Sequence, residues 1–260
     1  MTVHVSAVKG PVALKNVAAF MAMTTRLIER DPHLPGIGVC HAPSGYGKTY
    51  ASIFAQNRTR ALRVEVGDSW TRRTLLAAIL REAGTPVLKR QTISDLAEQV
   101  IMVLGDDPAR PLIIDEADKL IDKGISELVR EVQEHSQAPV ILIGEEKLPA
   151  KMLAVERLHN RVLDWMPAQP CDLEDTRALA AAFAASIKLD DELLEAIRTQ
   201  SGGRARRIVV NLARVAEAAR NKGARTFAAK DWGTRPFYTG EPPAIRPIEP
   251  FRRNNKTMAA

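Results

Sequence analysis

Residues 41–52, "HAPSGYGKTYAS", decide how the rest of the chain is read. They match the phosphate-loop pattern G-x-x-x-x-G-K-[ST] at every fixed position but the first, where Ala42 replaces glycine ahead of Pro43, Ser44, Gly45, Tyr46, Gly47, Lys48 and Thr49. An apolar, β-rich run, "IGVCHA" (37–42), precedes the loop, and a segment of helical period (48–57) follows it. A phosphate cradle needs that strand–loop–helix order. Backbone N–H groups from Gly45 to Lys48 can then wrap the phosphates, and the helix N-terminus adds its positive dipole end. Alanine at position 42 adds one methyl group and weakens the loop only if that position requires positive φ. Pro43, Ser44, Gly45, Tyr46, Gly47, Lys48, Thr49 and Tyr50 are the expected nucleotide contacts, with ATP as the ligand.

A second stretch, "PLIIDEAD" (111–118), is an apolar strand that ends in two carboxylates. Asp115 and Glu116 have the look of a magnesium-holding group followed by a water-activating one. Thr49 and Asp115 are then assigned to Mg²⁺, Lys48 to the β- and γ-phosphates, and Glu116 to the attacking water; the plainer alternative is that Asp-Glu caps the next helix.

Further apolar runs lie at 61–66, 139–144 and 161–166, and segments of helical period at 71–83, 93–104 and 119–136. Strands that alternate with helices, and are themselves almost continuously apolar, predict an α/β fold with a parallel five-stranded sheet flanked by helices. An amphipathic helix is predicted over 12–30. Beyond "PAQPC" (167–171) the strands are expected to stop and helices over 173–187, 190–200 and 204–222 to form a small all-α lid. The expected organisation is an α/β nucleotide-binding domain over 1–168, a lid over 169–232, and an extended or disordered Pro-rich tail over 233–260.

With 260 residues and 45% apolar content the chain can bury a sizeable core. Its two cysteines, Cys40 and Cys171, lie far apart and form no disulfide framework or zinc pattern, which fits a reducing cytoplasm. No secretion signal or membrane span is read. The net charge of +6 is uneven: residues 201–260 hold 13 Lys/Arg against 4 Asp/Glu, and residues 1–200 hold 24 against 27. A basic C-terminal quarter points to a polyanion partner or, more plainly, to a solvated helix face and tail.

Together the two motifs make the chain resemble an AAA+ ATPase of the initiator type, over about residues 12–232. By that resemblance, Arg161 in "RLHNRVLDW", with Arg157 as rival, would be the arginine finger that reaches a neighbouring subunit. Arg206 in "GGRARRIVVNL", with Arg207 as alternate, would be the lid's sensor arginine. One departure stands out. Such ATPases supply Asn, Ser or Thr just after the fourth strand, whereas "VILIGEEKL" has Gly144, Glu145 and Glu146 there, which implies slow or partner-dependent hydrolysis.

Within that superfamily the chain most resembles the transposition ATPases of the MuB/TniB type, without the extra N-terminal helix-turn-helix domain of MuB. The resemblance implies non-specific double-stranded DNA binding in the ATP state, homo-oligomeric filaments or rings, and delivery of target DNA to a transposase, in the cytoplasm of a bacterial host. From the residues, three basic groups are candidates for gripping DNA phosphates: Thr71, Arg72 and Arg73 at the start of a helix that Asp68 or Ser69 would cap, Lys89 with Arg90, and Lys119 with Lys123. Solvated helix faces are the ordinary reading of all three. A helicase loader of the DnaC/IstB type would instead need exposed aromatics for single strands, and Trp70 is the one suggestive residue. A nucleotide-gated scaffold that binds no DNA is the other alternative.

Overall fold

The computed structural model describes residues 12–242. Five parallel strands, β1 (Ile37–His41), β2 (Leu62–Glu65), β3 (Leu112–Asp115), β4 (Val140–Gly144) and β5 (Val162–Pro167), form one sheet in the order β2-β3-β4-β1-β5. Residues in β3 and β4 are buried at every position, as a strand covered on both faces must be; β2 and β5, at the edges, carry partly exposed positions. Alternation divides the apolar side chains between two cores. Cys40, Ile113, Ile141 and Ile143 face one side, and Val39, Leu112, Ile114 and Leu142 face the other.

Helices α1 (Lys15–Ile28) and α2 (Lys48–Thr59) cover the first face. The second is covered by α3 (Arg72–Glu82), α4 (Ile93–Gly105), α5 (Asp118–Asp122), α6 (Ser126–Ser136), α7 (Leu148–Leu153) and α8 (Glu156–His159). The single helix expected over 119–136 is thus two. Ile125 N–H bonds the Leu120 carbonyl at 2.9 Å and Gly124 N–H the Ile121 carbonyl at 3.0 Å, a Schellman turn that ends α5.

Helices α9 (Leu173–Phe183), α10 (Asp191–Gln200) and α11 (Ala205–Asn221) occupy the three expected helical segments. Asp172 and Asp190 cap the first two by accepting the amides of Asp175 and Leu193. Strands do not stop at 171, however. β6 (Lys188–Leu189) pairs in parallel with β7 (Thr226–Phe227), ahead of α12 (Ala229–Trp232). Two-residue strands carry no periodic signal, and leaving the helix after Phe183 frees the chain to make that pair. The first core continues through this region, from Phe20 and Cys40 to Leu179, Leu212 and Val215.

Within 233–242 the chain forms neither helix nor strand and is held. Phe237 stacks on Trp232 with ring centroids 5.3 Å apart, and buried Asn211 grips Tyr238 twice, accepting its N–H at 2.7 Å and donating to its carbonyl at 3.0 Å. The remaining tail, with Arg246, Arg252, Arg253 and Lys256, lies outside the described residues. Among those described, no helix is long and apolar enough to cross a membrane.

Candidate nucleotide site

The loop between β1 and α2 opens into a cleft of about 480 Å³. Gly45 and Gly47 sit at φ +91° and +84°, the left-handed region that a phosphate nest requires. Ala42 is buried at the end of β1 and is not among the non-glycine residues with positive φ, which are Arg60, Glu116 and Gln137 among those described. The missing first glycine therefore imposes no backbone strain. Helix α2 begins at Lys48 with no side-chain cap, so its first amides are unengaged by any capping group and point at the loop.

Lys48 Nζ donates to the carbonyls of Ala42 (2.6 Å) and Pro43 (3.1 Å), a resting place from which phosphate oxygens can draw it. Burial pulls its pKa below the ordinary lysine value, against opposing pulls from Cys40, Asp115, Glu145 and Glu116. Burial likewise pushes the Cys40 thiol behind it up to about 12.

Thr49 Oγ1 donates to Asp115 Oδ2 at 3.1 Å, which joins the two residues assigned to Mg²⁺ across the α2–β3 gap. These are hard oxygen donors. Among the described residues no three His, Cys, Asp or Glu side chains converge, so a cation here would draw its other ligands from phosphate and water, the usual habit of Mg²⁺. The residues fit such an ion. Glu116 lines the same cleft and holds φ at +58°, and its N–H is tied to Asp115 Oδ1 at 3.0 Å. A left-handed glutamate costs about 1–2 kcal/mol, strain of the kind that collects at functional sites.

The helical C-terminal region closes the cleft from above. Arg206 lines it and its N–H meets the Gly45 carbonyl at 3.3 Å, while Arg204 donates to the Ser44 carbonyl at 3.2 Å. Arg207 lies against Gly240 in the strapped segment instead. Gly144 and Glu145 line the cleft at the end of β4, and Leu14, Tyr50, Ile53, Leu179, Phe183 and Val209 supply an apolar side. Pro43 and Tyr46 do not line the cleft: the Pro43 carbonyl receives Lys48, and the Tyr46 ring packs on the first core while its carbonyl accepts Asn16 Nδ2 at 2.9 Å.

Arg161 and Arg157 do not line this cleft. Arg161 pairs with Glu134 on α6 at 2.5 Å, and Arg157, 81% exposed, lies 3.7 Å from Glu127. The three candidate phosphate grips come together as one region. Arg73 reaches the carbonyls of Gln91 and Lys89, Arg72 that of Gly124, and Lys123 that of Asp68, so the loop after β2, the turn before α4 and the α5–α6 turn are stitched together. Lys119 stands between Asp68 (3.1 Å) and Glu116 (3.8 Å), and Arg90 is exposed. Thr71, rather than Asp68 or Ser69, caps α3 by accepting the Thr74 amide. Trp70 folds over Gly67 and packs on the second core.

The sequence reading missed Arg63. On β2 its guanidinium is 14% exposed and bonds Asp115 Oδ2 at 2.7 Å. The available signal was a cation inside the otherwise apolar run "ALRVEV".

Residues 30–152 match the family model described as "AAA domain". No curated protein sequence matches the chain. Among solved structures the chain is similar to the ORC2 protein of Aeropyrum pernix in ADPNP–ADP complexes (16% identity, TM-score 0.63, covering 83% of this chain and 65% of that one). It is also similar to the ORC1 protein of Aeropyrum pernix in complex with DNA (15%, 0.63, 85% and 64%). A third is RuvB of Thermotoga maritima (18%, 0.56, 84% and 66%). The chain thus spans just under two thirds of the length of these relatives. The fold is that of an AAA+ P-loop ATPase: a five-stranded parallel sheet flanked by helices, with a helical C-terminal region.

Proposed function

We propose that this protein is an ATP- and Mg²⁺-dependent DNA-binding ATPase that oligomerises on double-stranded DNA without reading its sequence, delivers that DNA to a transposase, and leaves when ATP is hydrolysed. The observation that carries the nucleotide half is the convergence of Lys48, Thr49, Asp115, Glu116 and Arg206 on one cleft. In this reading Lys48 and the loop amides hold phosphates, Thr49 and Asp115 the metal, Glu116 orients the attacking water, and Arg206 senses the nucleotide from the lid. Arg161, or Arg157 beside it, serves a neighbour's cleft; its distance from its own supports a role in trans.

The DNA half is supported by the +9 balance of residues 201–260 and by the gathering of Arg72, Arg73, Lys89, Arg90, Lys119 and Lys123 around one set of turns. The solved relatives include a protein captured with DNA. Trp70, folded onto its own chain, offers no stacking platform, which favours duplex over the single strands a helicase loader would grip. The MuB/TniB-type assignment rests on the resemblance of the Gly144-Glu145-Glu146 segment and the compact lid.

The test is electron microscopy of the protein with long duplex DNA under ATP–Mg²⁺, a non-hydrolysable analogue, ADP, and no nucleotide. Filaments or rings with the triphosphate alone are expected. Bare DNA in every condition rejects the DNA half and leaves the nucleotide-gated scaffold.

A further inference from the structure

The contact between Arg63 and Asp115 is unusual for a carboxylate assigned to a metal. The guanidinium meets Oδ2 at 2.7 Å, the same oxygen that accepts the Thr49 hydroxyl at 3.1 Å. Both partners are secluded, Arg63 at 14% and Asp115 at 6% side-chain exposure, so their attraction is weakly screened. Arg63 is also held from behind: its Nε donates to Ser52 Oγ at 2.9 Å, and that hydroxyl donates to the Thr49 carbonyl at 2.7 Å. The guanidinium is thereby fixed to the backbone that carries Thr49. The second carboxylate, Glu116, has Lys119 at 3.8 Å, and the Lys48 ammonium lies nearby on its loop carbonyls. Glu145 and Arg206 also line the cleft, and Glu65 lies 3.6 Å from Arg63, so four carboxylates face four cations and the floor is close to neutral before any nucleotide arrives. A free divalent cation gains little there, whereas one that arrives with a triphosphate brings its own anionic oxygens.

We propose that Arg63 is a positioning residue that makes metal capture at Asp115 conditional on nucleotide: it holds the carboxylate in place and cancels the charge that would otherwise recruit a divalent cation to the empty cleft. The proposal rests on the assignment of Thr49 and Asp115 to Mg²⁺ and goes beyond it.

Mn²⁺, followed by the loss of its free-ion electron paramagnetic resonance signal, is the probe. Wild type, Arg63→Gln and Arg63→Lys are titrated without nucleotide and then with AMP-PNP, counting as uptake only the signal loss beyond a protein-free AMP-PNP blank, with circular dichroism as the check of folding. Wild type is expected to take up Mn²⁺ at least tenfold more weakly without AMP-PNP than with it. Arg63→Gln should bind the bare ion at least about tenfold more tightly than wild type, Arg63→Lys should behave as wild type, and Asp115→Asn in the Arg63→Gln background should abolish the gain. Equal nucleotide-free affinity in wild type and Arg63→Gln overturns the proposal. So does a wild-type protein that binds Mn²⁺ equally with and without AMP-PNP, a result that needs no variant to fold. Absence of Mn²⁺ uptake even with AMP-PNP overturns the metal assignment as well, which separates that failure from the failure of Arg63 alone.

Discussion

Asp118 sits directly under Gly144: its Oδ2 accepts the Glu145 amide at 2.7 Å, and a Cβ built on residue 144 would come within 2.2 Å of that oxygen and 2.7 Å of Leu148 Cδ2. The end of β4 is therefore closed to the Asn, Ser or Thr that the sequence resemblance leads one to expect there. Glycine is required by a carboxylate packed beneath it, and the first side chain to reach the cleft from this strand is Glu145.

Gly144→Ser should destabilise the fold by about 1–3 kcal/mol through overpacking, read from denaturant midpoints. In an Asp118→Ala background the added cost should shrink, since one of the two obstructions is gone. Equal penalties in both backgrounds would assign the clash to Leu148.

Lys48→Ala should lose ATP binding by calorimetry, at least about tenfold for one missing charge-assisted contact. Thermal stability should barely change, because the ammonium rests only on carbonyls of its own loop. Glu116→Gln should bind ATP as wild type does and accumulate the triphosphate-bound assembly. Unchanged ATP affinity in Lys48→Ala refutes the site.

The left-handed backbone at Glu116 makes a separate prediction. Glu116→Gly should be more stable than Glu116→Ala by about 1 kcal/mol, a melting difference of about 2–4 °C, because glycine alone adopts φ +58° without penalty. Neither variant should hydrolyse ATP. Here the stability and the proposed catalytic role of one residue pull in opposite directions.

Much of this was legible from the chain, because the informative residues act through local geometry. A glycine-lysine-threonine run after an apolar strand, and a carboxylate pair ending another, specify the strand–loop–helix unit and place its loop beside that pair. What escaped is what depends on distant packing. Arg63 meets Asp115 only because β2 pairs with β3, so that Glu65 lies opposite Asp115, and nothing in sequence spacing says which strands are neighbours. The β6–β7 pair and the end of α5 at Gly124 escaped for the opposite reason, being too short to leave a period. Capping of α3 by Thr71 rather than Asp68 or Ser69 shows how a run of several capping residues leaves the helix start open by a turn.

Asn211→Ala should free the 233–242 segment while leaving the sheet intact. Loss of two partly buried hydrogen bonds to Tyr238 should cost about 1–3 kcal/mol locally, seen as faster hydrogen exchange at the Tyr238 amide and protease cleavage nearby. Unchanged exchange would mean that the Trp232–Phe237 stack alone holds the segment.

Burial pushes both Cys40 and Cys171 up to about 12, from an ordinary value of 9.0. Their contribution to stability is full below pH 9 and is lost as pH rises towards 12, because the unfolded thiols ionise first. Denaturation at pH 8 and about pH 10 should show a larger loss in wild type than in a Cys40→Ala, Cys171→Ala double variant. Neither thiol should react with a disulfide reagent near neutral pH until the protein is unfolded.

The stretch that matches the AAA family model, residues 30–152, is not a unit that can be cut out. β1 is flanked by β4 on one side and by β5 on the other, and β5 lies past that stretch, as does the lid; α1, which packs on β1, precedes it. Expressed alone, the fragment would present β1 as a bare edge and lose the α1 part of the cover over Cys40, Ile141 and Ile143, inviting strand-to-strand aggregation. Subcloning this protein for biophysics should therefore begin ahead of Leu14 and end no earlier than Tyr238, so that the sheet, the lid and its fastening travel together.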